Sequence, residues 1–118
     1  MFWWLDQKAF VIDFDGYLMC SIIGYYGNDL AAPIMVRGLS KMEYRGYDSV
    51  GVATKSGNSI LVKKGVGRVA QVNESVSLDS LPGKIGIGHT RWATHGIVNS
   101  QNAHPHYSNS TKIALVHN

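Results

Sequence analysis

The chain contains one cysteine, Cys20, placed directly after Met19 and before an apolar run, and five histidines, all between positions 89 and 117. These residue types can do chemistry, and three kinds are open to them. A thiol can attack an electrophilic carbon if a base or a depressed pKa delivers its thiolate near neutral pH. Clustered imidazoles can ligate a metal. Gly86-x-Gly88, after the start of an apolar run, could open a phosphate loop.

The second and third chemistries are poorly supported. Zinc sites combine histidine pairs at helix or knuckle spacing with thiolate or acidic helpers. Residues 89–117 contain no Asp, Glu or Cys, so no metal and no other cofactor is expected. His104, His106 and His117 read as loop histidines that hydrogen-bond the backbone. In the glycine stretch the third glycine position is held by Arg91, and no helix signature follows.

The thiol is more telling. A lone cysteine is often a small buried hydrophobe. Yet a cysteine at the first position of a chain carries its own general base, because an α-amino group has a pKa of about 7.7–8.0. An internal Cys20 has an amide nitrogen there, which is not basic. Met19 makes the first arrangement available, since an initiator methionine before a small residue is readily trimmed.

The elements that must position Cys20 are legible from punctuation and period. Residues 20–27 read as a strand ended by Gly27-Asn28-Asp29. Residues 32–46 read as a helix, with Pro33 in the first turn, Met35, Leu39 and Met42 at helical spacing, and Gly46 as the stop. Residues 48–67 look like two strands joined at Ser56-Gly57-Asn58. A second helix is expected over 68–81, ended by Pro82-Gly83. Residues 84–96 read as a strand running into a loop, 98–112 as a polar loop, and 113–118 as a last buried strand. The order is that of a layered α+β domain.

Bulk properties bound the class. A chain of 118 residues fits one small domain. The net charge of +3 comes from scattered basic residues, so no nucleic-acid surface is expected. The start "MFWWLDQK" lacks a secretory pattern, and the uncharged run 16–28 is too short to span a bilayer. A soluble protein of a reducing, cytoplasmic compartment, not held at a membrane, is expected.

Five stretches in one order carry a resemblance: "MCSIIGYYG", "MEYRGYDSVGVA", "GIGHTRWATHG", "NAHPH" and "ALVHN". Together residues 19–118 closely resemble the amino-terminal glutaminase domain of the glutamine–fructose-6-phosphate aminotransferase family. That domain is a class II, N-terminal-nucleophile glutamine amidotransferase. The combination of "HTRWATHG" with "YRGYDS" is highly specific.

The resemblance implies an α+β fold, roughly the first half of an αββα four-layer sandwich. It implies that Cys20 attacks the side-chain amide of glutamine, with its α-amino group as base, releasing ammonia and then glutamate through a thioester. Asn118 matches the oxyanion-hole asparagine, and Arg91 the residue holding the glutamine α-carboxylate. Trp92, Thr94 and His95 match the loop that frames glutamine. Arg45 lies near the nucleophile in the family, and Asp48 supports structure.

Residues 1–19 are expected to be an extension, from an upstream start or as a propeptide. Residues 20–118 are expected to be the amidotransferase domain, truncated at its C-terminal side. The implied partners are glutamine, the rest of that domain, and the sugar isomerase domains that bind fructose 6-phosphate, through which oligomers could form. The alternatives are the glutaminase domain of another class II enzyme, such as amidophosphoribosyltransferase, and a non-catalytic fragment or split-gene partner. "HTRWATHG" with "NAHPH" favours the hexosamine enzymes.

Overall fold

The computed structural model describes residues 20–118 in full, and residues 2–5 and 9–12 as backbone strands. Six strands form one antiparallel sheet: β1 (Phe2–Leu5), β2 (Ala9–Ile12), β3 (Ser21–Tyr26), β4 (Ser49–Ser56), β5 (Ser59–Val66) and β6 (Ile85–Arg91). Their spatial order is β1-β2-β3-β6-β4-β5. Helix α1 (Ala31–Met42) follows β3, and α2 (Val69–Val76) follows β5. Two-residue strands β7 (His106–Tyr107) and β8 (Ala114–Leu115) pair apart from the main sheet.

The sheet is built by alternation. Ile23 and Tyr25 of β3 and Val50 and Val52 of β4 point to one face, where they form a core with Met35, Leu39 and Met42 of α1 and Val69 and Val72 of α2. The helix is amphipathic as its spacing predicts, and its buried stripe faces the sheet. The Gly86-x-Gly88 pair lies inside β6 under that helix. A β-carbon on Gly86 would stand 2.5 Å from the Met35 methyl, and one on Gly88 3.0 Å from a Leu39 methyl. These glycines let a helix approach a strand and form no phosphate loop.

The hairpin turns as expected: Ser56 pairs with Ser59 across Gly57-Asn58. Helix α1 ends at Met42, and a 3-10 turn (Glu43–Arg45) carries the chain to Gly46. The Glu43 carboxylate then accepts the N–H of Val69 at 3.0 Å, satisfying one free donor at the start of α2. Helix α2 is shorter than expected, because Ser77 takes a left-handed conformation and the chain tightens into a 3-10 turn at Leu78–Ser80.

One expectation is corrected. Residues 113–118 are not a buried strand: only Ala114–Leu115 pair, and Ile113 and Leu115 are 63% and 51% exposed. Their partner among the described residues is the two-residue β7. The expected extension, residues 1–19, lies mostly outside the described residues. Its Ala9–Ile12 strand pairs with β3 from Ala9↔Tyr25 to Ile12↔Ile22. No helix among the described residues is long and apolar enough to cross a membrane.

Candidate active site

The site forms where β3 begins and β6 ends. The antiparallel register sets Ser21 opposite Thr90 and Ile22 opposite His89, so Cys20, just before β3, meets Trp92, just after β6. The Trp92 N–H donates to Cys20 Sγ at 3.3 Å, and the thiol reaches back to Trp92 O at 3.6 Å. Cys20 is half-buried and forms no disulfide.

Asn118 arrives from the opposite end of the chain. Its Nδ2 donates to the backbone oxygen of Cys20 at 3.1 Å. Its Oδ1 lies 3.0 Å from Nε2 of His89. An amide nitrogen has two N–H bonds, so one remains beyond the contact with Cys20.

Arg91 is buried at the end of β6, and its guanidinium donates to the carbonyls of Ile97, at 3.3 Å, and His95. It thereby closes residues 92–97 into a compact loop. Asp48 ties the same loop from the other side. Its carboxylate accepts the Ala93 N–H and the Ser49 hydroxyl, and its own N–H donates to Arg91 O. Trp92 packs edge-on to Tyr47, ring centroids 6.2 Å apart, and the Arg68 guanidinium covers the Tyr47 ring at 4.2 Å. Thr94 and His95 are exposed and contact each other, Oγ1 to Nδ1, at 3.2 Å. Arg45 is buried at the end of the 3-10 turn.

Behind Asn118 stands a stack of imidazoles. The rings of His89 and His104 lie 4.3 Å apart and near parallel, and His106 meets His104 edge-on at the same separation. His104 Nδ1 accepts the backbone N–H of His117, which is the role expected for a loop histidine. Burial, then the neighbouring His104, drives the pKa of His89 down to about 3. Burial and His106 lower that of His104 to about 4. Both rings are therefore neutral near pH 7, and stacking them costs no charge repulsion. No group of three metal-ligating side chains is assembled among the described residues.

The loop carrying His104 is pinned by Lys64 on β5. Its ammonium donates to the carbonyls of Ala103 at 2.6 Å, Pro105 at 3.2 Å and Gln101 at 3.4 Å. Burial lowers its pKa.

Three contributors carried no site role in the motif reading: His89, Lys64 and the loop-tethering carboxylate of Asp48. His89 stood within "HTRWATHG", but nothing local distinguishes it from the other histidines. Its complete burial does so.

No protein-family profile matches the chain. It is 53% identical over 100 residues to the glutamine–fructose-6-phosphate aminotransferase [isomerizing] of Pyrococcus horikoshii, covering 85% of this chain and 17% of that protein. It is 54% identical over 101 residues to the enzyme of the same name from Bacteroides thetaiotaomicron, covering 85% and 16%. The chain thus spans about one sixth of the length of these curated relatives. Among solved structures, glutamine phosphoribosylpyrophosphate amidotransferase from B. subtilis, complexed with ADP and GMP, superposes with a TM-score of 0.64 at 29% identity. That match covers 75% of this chain and 19% of the other.

Proposed function

From a chain that is, over 85% of its length, a relative of the glutamine–fructose-6-phosphate aminotransferases, we propose the nucleophile-bearing part of a glutaminase site. Its substrate is glutamine, and its reaction is hydrolysis of the side-chain amide. The identity of 53% to those enzymes, against 29% to the phosphoribosylpyrophosphate amidotransferase, supports the hexosamine branch of the class. The released ammonia then aminates fructose 6-phosphate at a second site.

The observation that carries the reading is the meeting of Cys20 and Asn118 across 98 residues of sequence. A nucleophile and an amide donor side by side are what acyl transfer needs. Without residues 1–19, which an upstream start or a propeptide would add, the nitrogen of Cys20 is an amine. That amine takes the thiol proton as the sulfur adds to the amide carbon of glutamine. The carbonyl oxygen becomes an oxyanion held by the free N–H of Asn118. Collapse expels ammonia, which leaves with the proton borrowed by the amine, and a thioester remains. Water, deprotonated by the same amine, cleaves it to glutamate and the free thiol.

Around this centre Arg91 binds the α-carboxylate with the N–H groups its loop carbonyls leave over, since a planar fork matches a carboxylate. Trp92, Thr94 and His95 frame the substrate, and Arg45 supports the nucleophile's surroundings. A lone thiol used as a nucleophile fits a reducing, cytoplasmic setting.

The test is glutamate release by the protein carrying this chain, made to begin at Cys20 and made with residues 1–19 retained. Activity confined to the first form, and lost in Cys20→Ala, is the expected result. Equal activity with the extension attached removes the amine from the mechanism, and turnover by Cys20→Ala removes the thiol.

A further inference from the structure

We propose that His89 is a positioning residue for Asn118: it fixes which end of the asparagine amide faces the nucleophile. The inference rests on the glutaminase reading above and adds to it a residue that touches no substrate.

The two ends of an asparagine side chain are nearly identical in shape and opposite in hydrogen-bonding sense. An amide that turns over by 180° presents a carbonyl where a donor is needed, and an oxygen there repels an oxyanion. Something must therefore set its polarity. The Cys20 backbone oxygen can only accept, and it lies 3.1 Å from Asn118 Nδ2. Nε2 of His89 lies 3.0 Å from Oδ1, so this nitrogen is the one that carries hydrogen. The ring has no room to turn, since His89 is fully buried and His104 stacks on it at 4.3 Å. Nδ1 is buried too and has no hydrogen-bond partner among the described residues. Placing the hydrogen on Nδ1 would set two acceptors, Nε2 and Oδ1, against each other at 3.0 Å. The Cys20 oxygen and the Nε2 hydrogen thus hold the amide in one sense from its two ends.

The support extends outward. His104 is held against His89 by its loop, and Lys64 grips that loop through three carbonyls. A rigid imidazole with one fixed N–H is a better template than a solvent-exposed side chain whose donor rotates.

The experiment is a double-mutant cycle on glutamine hydrolysis in the protein carrying this chain, begun at Cys20, with Cys20→Ala as the blank. His89→Phe keeps a ring to stack on His104 and removes the donor. His89→Gln keeps an N–H of similar reach, and it guards against misfolding of the first variant. We expect His89→Phe to lower kcat about tenfold to a hundredfold with KM within about twofold, less than the roughly 10²–10³ that loss of an oxyanion donor costs. His89→Gln should recover most of that loss. In an Asn118→Ala background His89→Phe should cost nothing further, because its only route to the reaction is gone.

Additive losses, or a fall in His89→Gln as deep as in His89→Phe with folding intact, overturn the inference while leaving the glutaminase reading standing. A parent protein without Cys20-dependent glutamine hydrolysis overturns both.

Discussion

The carbonyl oxygen of His104 occupies the space where a β-carbon on Gly51 would stand. Gly51 lies in mid-strand on β4, opposite both His89 on β6 and Lys64 on β5. The histidine-bearing loop therefore lies against the sheet over a residue with no side chain. That absence lets Lys64 reach the loop carbonyls and lets His104 lie flat on His89.

Gly51→Ala should destabilise the fold by about 2–4 kcal/mol, since a methyl would also meet the Lys64 β-carbon at 2.6 Å. Backbone must shift to admit it, and the backbone that shifts carries His104. Chemical denaturation at pH 7.5 reads the loss. An unchanged midpoint would mean that the loop does not rest on the strand as described.

Arg91→Lys should raise KM for glutamine roughly tenfold or more while changing kcat less. An ammonium cannot replace a fork that spans the His95 and Ile97 carbonyls and still offers paired N–H groups to a carboxylate. Steady-state kinetics over a wide glutamine range separate the two constants. A loss confined to kcat would take Arg91 out of substrate binding.

Stability should fall as pH drops below about 6.5. In the unfolded chain His89 and His104 take up protons near pH 6.5. In the fold they hold off until about pH 3 and 4, with His104 and Arg91 facing His89, and His106, Arg91, Lys64 and His117 facing His104. Across this window the unfolded state binds more protons, so acid favours it. For fully buried His89 the loss approaches about 1.4 kcal/mol per pH unit below 6.5. The partly exposed His104 adds a smaller, screened share. Urea midpoints at pH 7, 6 and 5 measure the slope, and His89→Gln should flatten it. A stability independent of pH over that range would contradict neutral burial of these rings.

What the residues alone determined is local. Met35, Leu39 and Met42 repeat at the helical period, Gly57-Asn58 closes a two-residue turn, and the strings around Cys20 and Arg91 name a chemistry. Each such signal is written within a few consecutive positions, where backbone geometry makes neighbours in sequence neighbours in space. The strand expected at 113–118 failed for the complementary reason: an apolar run says that a segment can be buried, not that a partner layer covers it.

Tertiary structure decided the rest. The pairing of β3 with β6 brings Cys20 to Trp92 across 72 residues, and the loop leading to Asn118 returns to the thiol across 98. Of five histidines, complete burial selects His89. Register, burial and tautomer are properties of assembled neighbours, and no short window of sequence contains them.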